Sequence, residues 1–351
     1  MDLCFIESSP FKACWTIDID LMKGLESLVR KYVAQRPEVL GFTSDKPVPV
    51  RMLPRTSHSH VNFVAGRPGK RVVIRVSVRS AKKHAHLSDE YRVLKAIESY
   101  GIAPRPVAFV RNSLVGEPFL VVEYIEGNHI SHLTDARLKE LARLMSHIHR
   151  IKPGRLGNLR DRTSKRIVLA SAEVWARELP LYFKDTKGKE FASVLSYIYD
   201  SILRSDNGLR YMMRLVHLDV AFENILVSKG RLMLIDWERS CISDPYYDIA
   251  SMVDRLSLND RQIDLFLKEY GSSGMRASRK RLDAFMKILL LDRMLWAVTE
   301  AKRIKLNLKG PNFSKSISWQ DYERIARGKF FKLRRFGAVP EGLKWLPARE
   351  W

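Results

Sequence analysis

The stretch from His217 to Ala250, HLDVAFENILV followed by LMLIDWERSCISDPYYDIA, constrains this chain more than any other. It sets a carboxylate at Asp219, an amide at Asn224 and a second carboxylate at Asp236, each beside an apolar run that places it on a strand or a strand-ending loop. Segments 224–227 and 232–235 are apolar, with Ser228-Lys229-Gly230-Arg231 between them, which predicts a hairpin. Such a hairpin carries Asn224 in at one end and Asp236 out at the other, on the same edge. Asp219 lies five residues before Asn224, so a short loop can present both to one cleft.

The chemistry follows from the residue types. A carboxylate in a cleft can orient a hydroxyl and receive its proton. Magnesium prefers a few hard oxygen ligands and fills the rest of its shell with water and nucleotide phosphates. Asp219 suits the first task; Asn224 and Asp236 suit the second. Together they imply phosphoryl transfer, in which catalysis is mostly positioning and charge stabilisation. Taken singly, each Asp reads as well as a turn residue or helix cap, and each His as a core polar group. The combination, with apolar strands in the right places, carries the reading.

His217-Leu218-Asp219, Asn224, Ile235-Asp236-Trp237-Glu238 and Asp244-Pro245 with Asp248 resemble the aminoglycoside phosphotransferase and choline kinase superfamily, and the Asp-Trp-Glu and Asp-Pro-Tyr-Tyr-Asp wording is closest to its choline kinase side. The resemblance implies an α+β, two-lobed protein-kinase-like fold, with a small antiparallel-sheet N-lobe, a larger mainly helical C-lobe and ATP in the cleft between them. It implies Asp219 as the catalytic aspartate, Asn224 and Asp236 as ligands of Mg²⁺, and His217 and Asp248 as braces of the catalytic loop.

The upstream half agrees with a nucleotide lobe. Runs 61–65, 71–78, 107–110 and 119–124 are β-branched or aromatic, and 66–69 and 111–118 between them are turn-rich. Segment 88–100 is helical in pattern, with Tyr91, Leu94 and Ile97 on one face. By resemblance, Glu90 near its start pairs with Arg75, the strand residue that contacts the ATP phosphates. Protein kinases usually use Lys there, but a guanidinium can bridge phosphate and carboxylate in bidentate fashion. Arg75 also reads as the outward face of an alternating strand. Segment 56–60 has no Gly-x-Gly-x-x-Gly; its amides and Ser59 are the candidate phosphate cover. His60 stands where the family often has Asn. Glu123, Tyr124 and Ile125 resemble the hinge whose backbone meets adenine. Beyond it, Leu138, Leu141, Leu144, Met145 and Ile148 mark a helix that Thr134 can cap, and His147 and His149 read as core or helix-end residues rather than ligands.

With 351 residues, 46% of them hydrophobic, the chain can fill two lobes. Residues 1–50 are expected as an extension with a helix near 21–35 and a linker marked by Pro37, Pro47 and Pro49. The expected N-lobe and hinge then cover 51–127 and the C-lobe 128–351. Cys4, Cys14 and Cys241 form an odd, scattered set that suits a reducing cytosol. No apolar run is long enough to span a bilayer, and the acidic N-terminal stretch is unlike a signal peptide, so a cytoplasmic protein is expected. No residue pattern speaks to oligomeric state.

The charge complicates the choice of acceptor. A formal net charge of +22 repels cationic acceptors such as choline at a distance. From Lys302 onward, basic residues are interleaved with Phe313, Trp319, Tyr322, Phe330, Phe331 and Phe336. That mixture suits contact with RNA, or a solvated surface whose aromatics pack inward. Three expectations follow: a small-molecule hydroxyl kinase of choline, amino-alcohol or aminoglycoside type; an RNA kinase acting on a ribose hydroxyl, such as one in tRNA; and a kinase-like binding module without catalysis. Trp296, Asp292 and Glu300 discriminate, because a choline-type acceptor needs aromatic faces and a carboxylate around its ammonium.

Overall fold

The computed structural model describes residues 19–43, 46–53, 60–77, 85–111, 118–152, 154, 167–206, 209–306 and 318–345. The small lobe is an antiparallel sheet of β1 (Val50–Met52), β2 (His60–Arg67), β3 (Lys70–Ser77), β4 (Pro106–Val110) and β5 (Phe119–Glu123), in the order β1-β2-β3-β5-β4. One face carries α1 (Ile19–Gln35), whose Val29, Tyr32 and Val33 join Phe63, Ile74, Val76 and Phe119 in a shared core. The described part of the stretch expected as extension and linker, residues 19–43 and 46–50, therefore packs as a wall of this lobe. Its prolines were read as linker signals, yet Pro37 opens a 3₁₀ turn that buries Leu40.

The other face carries α2 (Ala85–Ile97). Its buried face is Leu87, Glu90, Val93, Leu94 and Ile97, so a carboxylate lies within an apolar stripe. Tyr91, expected on that stripe, is half-buried and stacks on Phe109 instead.

The large lobe contains α3 (Asp135–Arg150), α4 (Ile167–Tyr182), α5 (Thr186–Asp206), α6 (Pro245–Arg255), α7 (Asp260–Ser272), α8 (Arg279–Lys305) and α9 (Trp319–Arg335). Between its helices run β6 (Asn128–His129), β7 (Arg214–Val216), β8 (Ile225–Ser228), β9 (Arg231–Leu234) and β10 (Cys241–Ser243). They pair as β6-β8-β9 and β10-β7. Gly127 lets the chain leaving β5 lie against β8, because a Cβ there would stand 2.5 Å from the Val227 carbonyl oxygen. Thr134 caps α3 by accepting the Arg137 N–H. Helix α8 is buried around most of its girth and forms the spine of the lobe.

Helix α9 packs Tyr322, Ala326, Phe330 and Leu333 inward, with Tyr322 edge-on to Trp296. Of the aromatics singled out near the C-terminus, Phe313 lies outside the described residues and Phe331 is 42% exposed. No helix among the described residues is long and apolar enough to cross a membrane.

Candidate active site

The site is built on a backbone turn after β7. Leu218 has φ 64°, a left-handed conformation that costs a branched residue free energy and persists only where its surroundings hold it. Asp248 supplies much of that hold. Asp244 and Pro245 fix the start of α6, which places Asp248 beneath the turn. There its carboxylate accepts the His217 N–H at 2.7 Å and the Leu218 N–H at 2.8 Å. It also lies 3.1 Å from His149 Nε2, whose Nδ1 faces the Tyr270 hydroxyl at 2.9 Å. Burial pushes the Asp248 carboxyl up, but His149 and His217 outweigh it and hold the group below its ordinary range.

His217 braces the same loop from inside. Its Nδ1 accepts the Asp219 N–H at 3.2 Å, which assigns the proton to Nε2, the atom that donates to the Ile235 carbonyl at 3.0 Å. Asn224 Nδ2 donates to the Asp219 carbonyl at 2.8 Å and to Asp219 Oδ2 at 3.0 Å. With its amide nitrogen so engaged, Oδ1 is the side-chain atom that Asn224 can offer a cation. The expected hairpin is present as β8–β9, with Ile225 opposite Leu234, and the Ile235 N–H bonds the Asn224 carbonyl at 3.0 Å. Asn224 and Asp236 thus flank one edge, and Asp236 is itself left-handed at φ 65°.

Arg75 joins the lobes. From β3 its guanidinium donates to Glu90 at 2.6 Å and to Asp236 at 2.7 Å. Glu90 also accepts the Trp237 N–H at 3.2 Å. One cation between a buried and a half-buried carboxylate does not hold both equally. Burial raises Glu90 to about 8 against the pull of Arg75. Asp236 feels burial too, but Arg75, His60 and His217 bring it below its ordinary value. Glu238 is raised to about 7 by burial and by Asp236, and it lies 3.3 Å from His60 Nδ1. Replacing Arg75 by Leu would leave the half-buried Asp236 carboxylate and the buried Glu90 carboxyl without their cation, so we expect a loss of about 3 kcal/mol in urea unfolding at pH 7.

Asp219, Asn224, Asp236, His217, Asp248, Arg75 and Glu90 are brought together at the lobe junction. Glu123 ends β5, and Tyr124 and Ile125 follow it. The Glu123 N–H bonds the Arg105 carbonyl at 2.8 Å and the Tyr124 N–H bonds that of Arg71 at 3.2 Å, so the next donor along the chain is that of Ile125. Ser59 lies outside the described residues. Three neighbours were given no role at the site by the sequence: Glu238, present in the motif; His149, which is buried as the core reading expected but also faces Asp248; and Arg255, which ends α6 with Nε 3.5 Å from Asp219 and Nη2 2.6 Å from Glu223. Only Glu238 had a signal, its place beside Asp236.

Residues 54–284 match the family model described as the phosphotransferase enzyme family. The chain belongs to that family. Thiamine kinase of Salmonella typhimurium is 27% identical over 223 residues, 61% of this chain and 66% of that protein. An uncharacterised Mycoplasma pneumoniae protein is 25% identical over 169 residues, and the match spans 53% of its length, about half. The structure of choline kinase LicA from Streptococcus pneumoniae superposes with a TM-score of 0.61 at 17% identity, covering 88% of this chain and 98% of that one. A spectinomycin phosphotransferase in complex with ADP and spectinomycin gives 0.60 at 13%, covering 83% and 93%. The fold is the two-lobed α+β fold of these phosphotransferases.

In this family member the residues expected to discriminate the acceptor are largely engaged. Glu300 pairs with Arg303 at 2.7 Å, and Trp296 packs on Tyr322. Asp292 is raised to about 6 by burial, against hydrogen bonds from Ser171 and Trp175 of α4 and the charges of Arg239 and Arg293. Among the described residues no three or more His, Cys, Asp or Glu gather as a metal cluster. Among the oxygen atoms at the junction, Asn224 Oδ1 and the Asp236 carboxylate are a hard pair of the kind Mg²⁺ takes when phosphates and water complete its shell.

Proposed function

We propose that this protein transfers the γ-phosphoryl group of ATP to a hydroxyl of a small-molecule acceptor in a Mg²⁺-dependent reaction. The convergence of the Asp219–Asn224 pair with the Arg75–Glu90–Asp236 ion pairs at the lobe junction carries this reading. Asp219 orients the acceptor hydroxyl and takes its proton as the oxygen attacks phosphorus. Asn224 Oδ1 and Asp236 hold Mg²⁺, which when bound offsets charge on the phosphates. Arg75, steadied by Glu90, faces the phosphates, and the hinge at Glu123 to Ile125 meets adenine, with Ser59 the candidate cover over the phosphate tail. Loss of one hinge donor in Ile125→Pro should raise the KM for ATP about tenfold, with kcat at saturating ATP near that of the wild type.

The relatives named for thiamine and choline support a small alcohol as acceptor. Arg255 beside Asp219 and the engagement of Trp296 and Glu300 speak against a choline-type cage in this chain. A second reading, RNA as acceptor, is favoured by the outer face of α9. There Arg324, Arg327, Gly328, Phe331 and Arg335 form one exposed row, and Arg327 lies 5.8 Å from the centre of the Phe331 ring. Three arginines along about 16 Å of helix match the reach of a few phosphates. Incubation with γ-labelled ATP, a panel of small alcohols and pooled tRNA separates the two. Label in a small alcohol alone supports the first reading; protease-resistant label in RNA replaces it with the second.

A further inference from the structure

We propose that α9 is a positioning element for the loop that carries Asp219, acting through Asp254. The kinetic part of this inference rests on the phosphotransferase reading above; the structural part does not. Asp254 is in the last turn of α6, and its side chain is 1% exposed. Its carboxylate accepts from Lys329 Nζ at 2.6 Å and Lys332 Nζ at 2.7 Å, both from α9, and from Arg293 of α8. Three cations on one carboxylate exceed what neutralising it requires. Lys329 is costly at this place, since burial drives it down to about 8. An isosteric apolar residue would serve packing at least as well. The lysines therefore contribute something besides packing.

Two connections lead from this hub to the loop. Arg293 also donates to Ser251 Oγ at 2.9 Å, and that hydroxyl points to the Leu218 carbonyl at 3.5 Å. Arg255, next in the chain to Asp254, reaches Asp219 and Glu223. Asp248 holds the loop by its N–H groups; Ser251 and Arg255 hold it from the carbonyl and side-chain sides. A left-handed Leu218 needs such bracing from more than one direction. Helix α9 begins at Trp319, beyond the residues matched to the family, so the lysines of this brace lie outside the matched segment while Asp254, Ser251 and Arg255 lie within it.

The test is the double variant Lys329→Met with Lys332→Met, read by hydrogen exchange and by steady-state kinetics. Asp254→Asn is the simpler change, but it leaves buried cations unpaired and risks unfolding; the lysine variants keep Asp254 with Arg293. We expect faster amide exchange in peptides covering 214–224, unchanged exchange in β2 and β3, a fall in kcat of about tenfold and an unchanged KM for ATP. Lys332→Arg, which keeps the charge, should retain wild-type kcat. Faster exchange confined to α9, with the 214–224 peptides and kcat as in the wild type, overturns the proposal. A wild-type protein that transfers no phosphate would sink the phosphotransferase reading, while the exchange data would still decide the brace.

Discussion

Asp219→Asn should lower kcat by about 10²–10⁴-fold, the usual contribution of a positioned general base, while ATP binding and the melting temperature stay near those of the wild type. The substitution is nearly isosteric. An asparagine oxygen at 219 can still accept from Asn224 Nδ2, the contact that now spans 3.0 Å, so the loop is kept while the proton acceptor is lost. Asp219 lies beside Arg255 and not within the Arg75–Glu90–Asp236 group, so its removal leaves the phosphate side intact. Steady-state kinetics with a nucleotide-binding titration checks both halves. Turnover near the wild-type rate would remove Asp219 from the mechanism.

The second large effect is structural. Asp248→Ala should destabilise the protein by about 3–5 kcal/mol, because a buried charged acceptor is removed and its partners are left unpaired. The stranded groups are the N–H groups of His217 and Leu218 and the ring of His149. Asp248→Asn should rescue little: an amide keeps a single acceptor oxygen and sets its own NH₂ against groups that donate. Urea unfolding monitored by tryptophan fluorescence measures the loss. A change below about 1 kcal/mol, the size of one ordinary hydrogen bond, would show that the turn is held by other contacts.

The site was legible where its residues are close in sequence and their chemistry is distinctive. Asp219, Asn224 and Asp236 lie in one stretch with a hairpin between them, and the hairpin formed as β8–β9. Arg75 and Glu90 could be named only through the family resemblance, since an alternating strand gives no sign of which face its arginine takes. Arg75 is in fact buried. His149 and Arg255 were not assigned to the site, because their partners are far along the chain and nothing local distinguishes them from an ordinary core histidine and an ordinary helix-ending arginine. The helix expected near 21–35 formed as α1, and its packing on the sheet was not legible for a related reason: prolines mark a break in regular structure equally well whether the chain beyond is a linker or a packed turn. The C-terminal aromatics show the limit of composition. Phe330 and Phe331 are adjacent, yet one is fully buried and the other exposed, a difference set by helix phase against α8 and not by residue type.

The proposed reaction at the lobe junction moves phosphate from ATP to an alcohol. Its most direct test follows ADP formation and label transfer together, from γ-labelled ATP in the presence of a small-alcohol panel, with Mg²⁺ and with EDTA. One phosphorylated acceptor is expected for each ADP formed, with both signals lost in EDTA and in Asp219→Asn. Folded wild-type protein that leaves the label in ATP with every acceptor, or that transfers it equally well as Asp219→Asn, would contradict it.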